Sequence, residues 1–124
     1  MAVTTESLSG GDRSGLASIH GFDNAKTVKA TADVLGGVVP ALSAVVIKAD
    51  GTVTVHVNAA GAPEAGDVIA FTKSDRKSEA DGKLNVAVLL HAIVRYPKLT
   101  ATAKATVDAA EAAGALGGVV VHRF

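Results

Sequence analysis

The stretch VAVLLHAIVRYPKL, residues 86–99, decides how this chain folds. Read with a period of two, it puts Val86, Val88, Leu90, Ala92, Val94 and Tyr96 on one face of a strand. Ala87, Leu89, His91, Ile93 and Arg95 fall on the other. Both faces are largely apolar, whereas a strand on the outside of a small domain normally shows water one polar face. The second face therefore needs a cover. Two covers are open to it: a neighbouring copy of the chain, or a sheet and helix of the same chain.

Working outward, the reading on both sides is mostly β. Before the stretch, KSDRKSEADGK (residues 73–83) concentrates charge and ends in Asp-Gly, the pattern of an exposed loop or hairpin tip. DVIAFTKS (67–74) is a short strand, and AAGAPEAGD (59–67) is a turn-rich connection. In ADGTVTVHVN (49–58), Asp50-Gly51 signals a hairpin, and Val53, Val55 and Val57 alternate with Thr54, His56 and Asn58. VVPALSAVVIKAD (38–50) supplies a Val-rich run in which Pro40 marks a strand edge or loop, and KTVKATADV (26–34) alternates weakly.

Beyond the stretch, Pro97 closes the strand and TATAKATVDAAEAAGALGG (100–118) has the only convincing helical pattern. Thr100 or Thr102 caps its start, with Asp108 and Glu111 as an alternative start, and Gly114 or the pair Gly117-Gly118 stops it. GVVVHRF (118–124) reads as a terminal strand. The expected fold is a mainly β (α+β) domain, a small barrel or sandwich of about six strands with one C-terminal helix.

The totals agree with one modest core. The chain has 124 residues, 48% of them apolar but only 3% aromatic, with no Trp, so Val, Ala, Leu and Ile must fill the interior. Twelve basic and twelve acidic residues balance, which argues against nucleic acid as a partner. The run from Val34 to Ile47 is too short and too interrupted to span a bilayer, so no membrane partner is expected. Neither does MAVTTESLSGGDRSG read as a secretory signal.

Residues 1–24 lack sustained apolar periodicity and read as a flexible, extended N-terminal arm ahead of a β-rich domain at 25–124. Single apolar residues along it, Val3, Leu8, Leu16, Ile19 and Phe22, suit separate pockets on a partner.

Chemistry is thinly represented. His20, His56, His91 and His122 have no paired metal-ligand spacing. The carboxylates Asp75, Glu79 and Asp81 are interleaved with Lys73, Arg76, Lys77 and Lys83, as in a solvated loop. No cysteine is present, and neither Ser14 nor Ser43 sits in a nucleophile elbow. No catalytic residue, metal or cofactor is expected, and the chain does not read as an enzyme. The competing reading is a small-molecule or metal-binding β-barrel using His56 and His91.

The order of the segments carries a resemblance. KTVKATADV, VVPALSAVVIK (38–48), DVIAFTK (67–73), VLLHAIVRYPKL (88–99), the Ala-rich helix and the terminal VVVHRF together resemble the head decoration proteins of tailed bacteriophages that infect actinobacteria. Ala41 and Ala92 stand where that family carries glycine, and ALGGVVV is longer than its usual tail.

The resemblance implies a flexible arm on a small β domain, similar to the lambda-type decoration protein that sits as a trimer on three-fold and quasi-three-fold positions of a capsid. It implies a structural, non-catalytic protein made in the host cytoplasm and carried on the outer surface of the virion. Its partners would be the major capsid protein, met by Val3, Leu8, Leu16 and Ile19 of the arm, and its own copies. On that reading Leu89, His91 and Ile93 form the subunit interface of the homotrimer.

Overall fold

Val and Ala dominate the strands, and the architecture they build is a narrow closed barrel with a second layer on one wall. The computed structural model describes residues 16–18 and 25–123. Ten strands occur among them: β1 (Leu16–Ser18), β2 (Lys26–Ala32), β3 (Val38–Val39), β4 (Ala44–Ile47), β5 (Val53–His56), β6 (Val68–Thr72), β7 (Arg76–Lys77), β8 (Lys83–Leu89), β9 (His91–Arg95) and β10 (Gly118–His122). The one α-helix among the described residues, α1 (Ala101–Ala113), lies between β9 and β10, after a 3₁₀ turn at Tyr96–Lys98. Mainly β with one late helix is the class expected from sequence. The expectation of about six strands missed the short β1, β3 and β7 and took β8 and β9 as one.

The barrel runs β2-β5-β4-β6-β8 and closes on β2. All its joints are antiparallel except β2–β5, where Thr31 faces Thr54 and Ala32 faces Val55 in parallel register. Closure leaves the barrel with no strand edge. Barrel width grows with strand number, and eight strands leave just enough room for side chains, so five admit only small ones. Ala30, Ala32, Val45, Val55, Ala70, Val86 and Val88 form this interior with Val39 and Leu84. The poverty in aromatics follows from that geometry.

The second core lies outside the barrel wall. Ala44 and Val46 of β4, Ile69 and Phe71 of β6, and Leu89 of β8 turn outward against Ala103, Val107 and Ala110 of α1. Ala92 and Val94 of β9, Val119 of β10, Leu99 and Ala115 complete it. The Ala103, Val107, Ala110 spacing is one helix face, and its small side chains let α1 approach the wall closely. Thr100 caps α1 by accepting from Ala103 N–H at 3.2 Å, and Gly114 ends it in the left-handed conformation at φ 71°.

The stretch at 86–99 is not one strand. It bends at Leu90, so that β8 stays in the barrel while β9 joins a separate sheet of order β1-β9-β10. Leu89 and Leu90 serve different cores: Leu89 packs in the outer one, and Leu90 against the barrel interior. The chain's own barrel wall and helix therefore cover the apolar side chains of β8. This corrects the assignment of Leu89 to a subunit interface, because at 3% exposure its side chain is already occupied.

Candidate interaction surface

The sheet β1-β9-β10 is where the structure gathers Leu16, His91 and Ile93, three of the residues singled out from sequence. β9 and β10 run parallel, joined by α1, with Gly118 opposite His91, Val120 opposite Ile93 and His122 opposite Arg95. Alternation turns Ala92, Val94 and Val119 into the outer core and leaves His91, Ile93, Arg95 and Val120 on the other side. His91 and Arg95 are exposed, Ile93 is half-buried, and Val120 is 50% exposed. His91 and Ile93 thus keep the outward placement expected of them, whereas Leu89 parts from them at the Leu90 bend.

Val120 is a surface residue that sequence reasoning missed. Its alternation with Val119 and Val121 was legible, but its position beside Ile93 depends on a register set across the whole helix.

Of the arm residues, Val3, Leu8 and Ile19 lie outside the described residues. Leu16 is placed by its backbone in β1, antiparallel to β9 and opposite Val94, with Ser18 opposite Ile93. The folded sheet therefore draws a strand from the segment assigned to the arm.

A clasp holds the far end of β10. The Arg123 guanidinium lies 4.4 Å from the centre of the Tyr96 ring, while its Nη2 reaches Glu111 Oε1 at 2.6 Å and Asp108 Oδ1 at 3.4 Å. Tyr96 donates its hydroxyl hydrogen to Asp108 Oδ2 at 2.9 Å, and that bond raises the phenol's pKa above its ordinary value. The last strand is thereby tied to α1.

A second exposed patch lies on the loop into β3. Leu35 is 70% exposed and Val38 59%. Buried Ser78 fixes this loop: its Oγ accepts from Gly36 N–H and Gly37 N–H and donates to Val34 O. Elsewhere, an open cleft of about 570 Å³ is bordered by Lys29, Thr31, Thr52, Glu79, Lys83 and Asn85.

Asp33 organises the connection after β5. Its carboxylate accepts from the N–H groups of Val57, Asn58 and Ala59 at 2.8 to 3.1 Å. Burial pushes its pKa up, but the bonds from Val57, Ala59 and Asn58 together outweigh that and hold it below the usual carboxylate value. Further along, Gly61 N–H donates to buried Thr106 Oγ1 at 2.9 Å, which pins the connection to α1.

His56 and His91 do not converge. His56 lies on β5 with its ring against Gly61, and His91 lies on β9 in the other sheet with its ring against Gly118. Among the described residues no group of three His, Cys, Asp or Glu is placed to hold a metal ion. No helix among them is long and apolar enough to cross a membrane. Comparison with protein-family models, with curated proteins and with solved structures finds no match to this chain.

Proposed function

We propose that this chain is a structural decoration protein of a bacteriophage head, binding the outer surface of the shell as a trimer and stabilising it without catalysis. The observation that carries the reading is the ordered set of segments from KTVKATADV to VVVHRF quoted above. The mainly β domain with a late helix is of the class that this resemblance implies. The face of β9 bearing His91 and Ile93 meets a neighbouring copy, and Val3 and Leu8 ahead of β1 engage the major capsid protein. Three arms per trimer raise a weak contact through effective concentration.

A ligand-binding barrel has less support. Val39, Val45, Val55, Val86 and Val88 fill the barrel interior, and His56 and His91 belong to different sheets.

The test adds purified protein to expanded phage capsids that lack it and images them by electron microscopy, with sedimentation to give the oligomeric state. Protrusions at three-fold positions and a trimer at micromolar concentration are expected. A chain shortened by residues 1–15, which keeps β1, should remain a folded trimer and leave capsids bare. A full-length protein that stays monomeric and never decorates capsids would end the proposal.

A further inference from the structure

The barrel closes through β2, β4, β5, β6 and β8, and α1 carries its own caps at Thr100 and Gly114, so neither needs β10 for its hydrogen bonds. Among the described residues β10 pairs with β9 alone, and β9 keeps β1 as a second neighbour. Val119 is the one buried residue of β10, and Val121 packs half-buried against the outer core. One ladder and one enclosed valine are therefore most of what β10 contributes to the interior.

The chain leading into β10 is fixed as far as Ala115. That residue is fully buried, and its carbonyl accepts from Ile69 N–H at 3.0 Å, which fastens the end of α1 to the barrel wall. Gly117 and Gly118 follow, Gly117 in the left-handed conformation at φ 59°. A glycine pair can take up a change of backbone direction that side chains would resist.

The far end is tied by charge. Arg123 Nη2 bridges Glu111 at 2.6 Å and Asp108 at 3.4 Å, with its guanidinium 4.4 Å from the centre of the Tyr96 ring. Lys104, 5.5 Å from the same ring centre, is the second cation of this cluster. Arg123, Asp108 and Glu111 each keep about half of their side-chain surface in water. Pairs so exposed are modest in strength and screened by salt.

We propose that β10 is a strap that swings off β9 as a unit about Gly117-Gly118 while the barrel and α1 stay folded, with the Arg123 clasp as its salt-sensitive latch. Opening breaks the β9–β10 ladder, lifts Val119 out of the outer core and frees the edge of β9. Segments with few buried contacts open this way without global unfolding. The device belongs to a single chain and does not rest on the proposed binding to a capsid.

Amide hydrogen exchange of the full chain, read residue by residue by nuclear magnetic resonance at low salt and at about 1 M salt, tests it. The slow amides of β10 should exchange about tenfold or more faster than those of β4 and β6. Salt should speed the β10 amides about three- to tenfold, the range that exposed ion pairs and one cation–π contact supply together, and leave the barrel amides unchanged. Arg123→Gln should reproduce that acceleration at low salt and abolish the salt dependence. Glu111→Gln should do most of the same, and the double variant should add little, because both substitutions break one latch.

The salt series on the unmodified chain needs no variant. Exchange of β10 at the rate of the barrel amides would show that the strand leaves only on global unfolding and would overturn the inference. So would a salt dependence that survives Arg123→Gln, or strictly additive effects of the two substitutions.

Discussion

Gly118 and His91 lie side by side across β9 and β10, so close that a Cβ on the glycine would stand 2.3 Å from His91 Cδ2 and 2.9 Å from Leu90 O. The imidazole covers the backbone of its own chain at the point where β10 begins. This contact makes the residue at 118 a packing requirement of the sheet.

Gly118→Ala should therefore destabilise the fold by about 1–3 kcal/mol, the usual cost of forcing an extra methyl into a filled site. Adding His91→Ala should recover part of the loss, because the ring can be removed but the Leu90 carbonyl cannot. Urea denaturation of the two variants checks both statements. A single variant as stable as the parent would show that the ring moves aside at no cost.

Leu89 and Ile93, two residues assigned to one interface from sequence, should separate on truncation. Leu89→Ala removes a buried side chain from the outer core and should cost about 2–5 kcal/mol. Ile93→Ala, at a half-buried position, should cost less than half as much and act mainly on association. Equal losses of monomer stability would show that Ile93 is as enclosed as Leu89.

The Gly61–Thr106 bond predicts a different pattern. Thr106→Val keeps the shape of the side chain but takes away the oxygen that accepts from Gly61 N–H. A buried donor left unpaired costs about 1–3 kcal/mol, and Thr106→Ser, which retains the hydroxyl, should lose less. Hydrogen exchange at the Gly61 amide should quicken in Thr106→Val and stay near the parent rate in Thr106→Ser.

Asp33 gives the fold a dependence on acid. Its carboxyl titrates below the value of an unfolded Asp, about 3.9, so the stability it contributes is fully present above that value. It is lost as pH falls through the lower folded value. Asp67 acts in the same direction: the Glu64 N–H foremost, and then Lys48 at 3.2 Å, hold its carboxyl below the ordinary range. Asp33→Asn should lower stability at neutral pH and flatten the fall in urea midpoint below about pH 4, without abolishing it. An unchanged slope would assign the acid sensitivity elsewhere.

Several features were legible because their causes are local. Asp50-Gly51 turns β4 into β5, with Lys48 and Thr52 bonded across the turn, Thr100 caps α1, and Gly114 ends it. Each depends on residues within a few positions. The outward placement of His91 and Ile93 was legible for the same reason, since alternation along a strand needs no partner.

Sequence alone determined the class of fold, the composition of its interior and the turns that punctuate it, because propensity and periodicity act over a few neighbours. The tertiary structure decided that the ribbon at 86–99 breaks at Leu90, that β2 meets β5 in parallel to close the barrel, and that Val120 comes to rest beside Ile93 on an open edge. Those outcomes join segments that are distant along the chain. Their energies come from burial against a barrel wall and a helix that exist only once the whole chain has folded, so no local pattern can encode them.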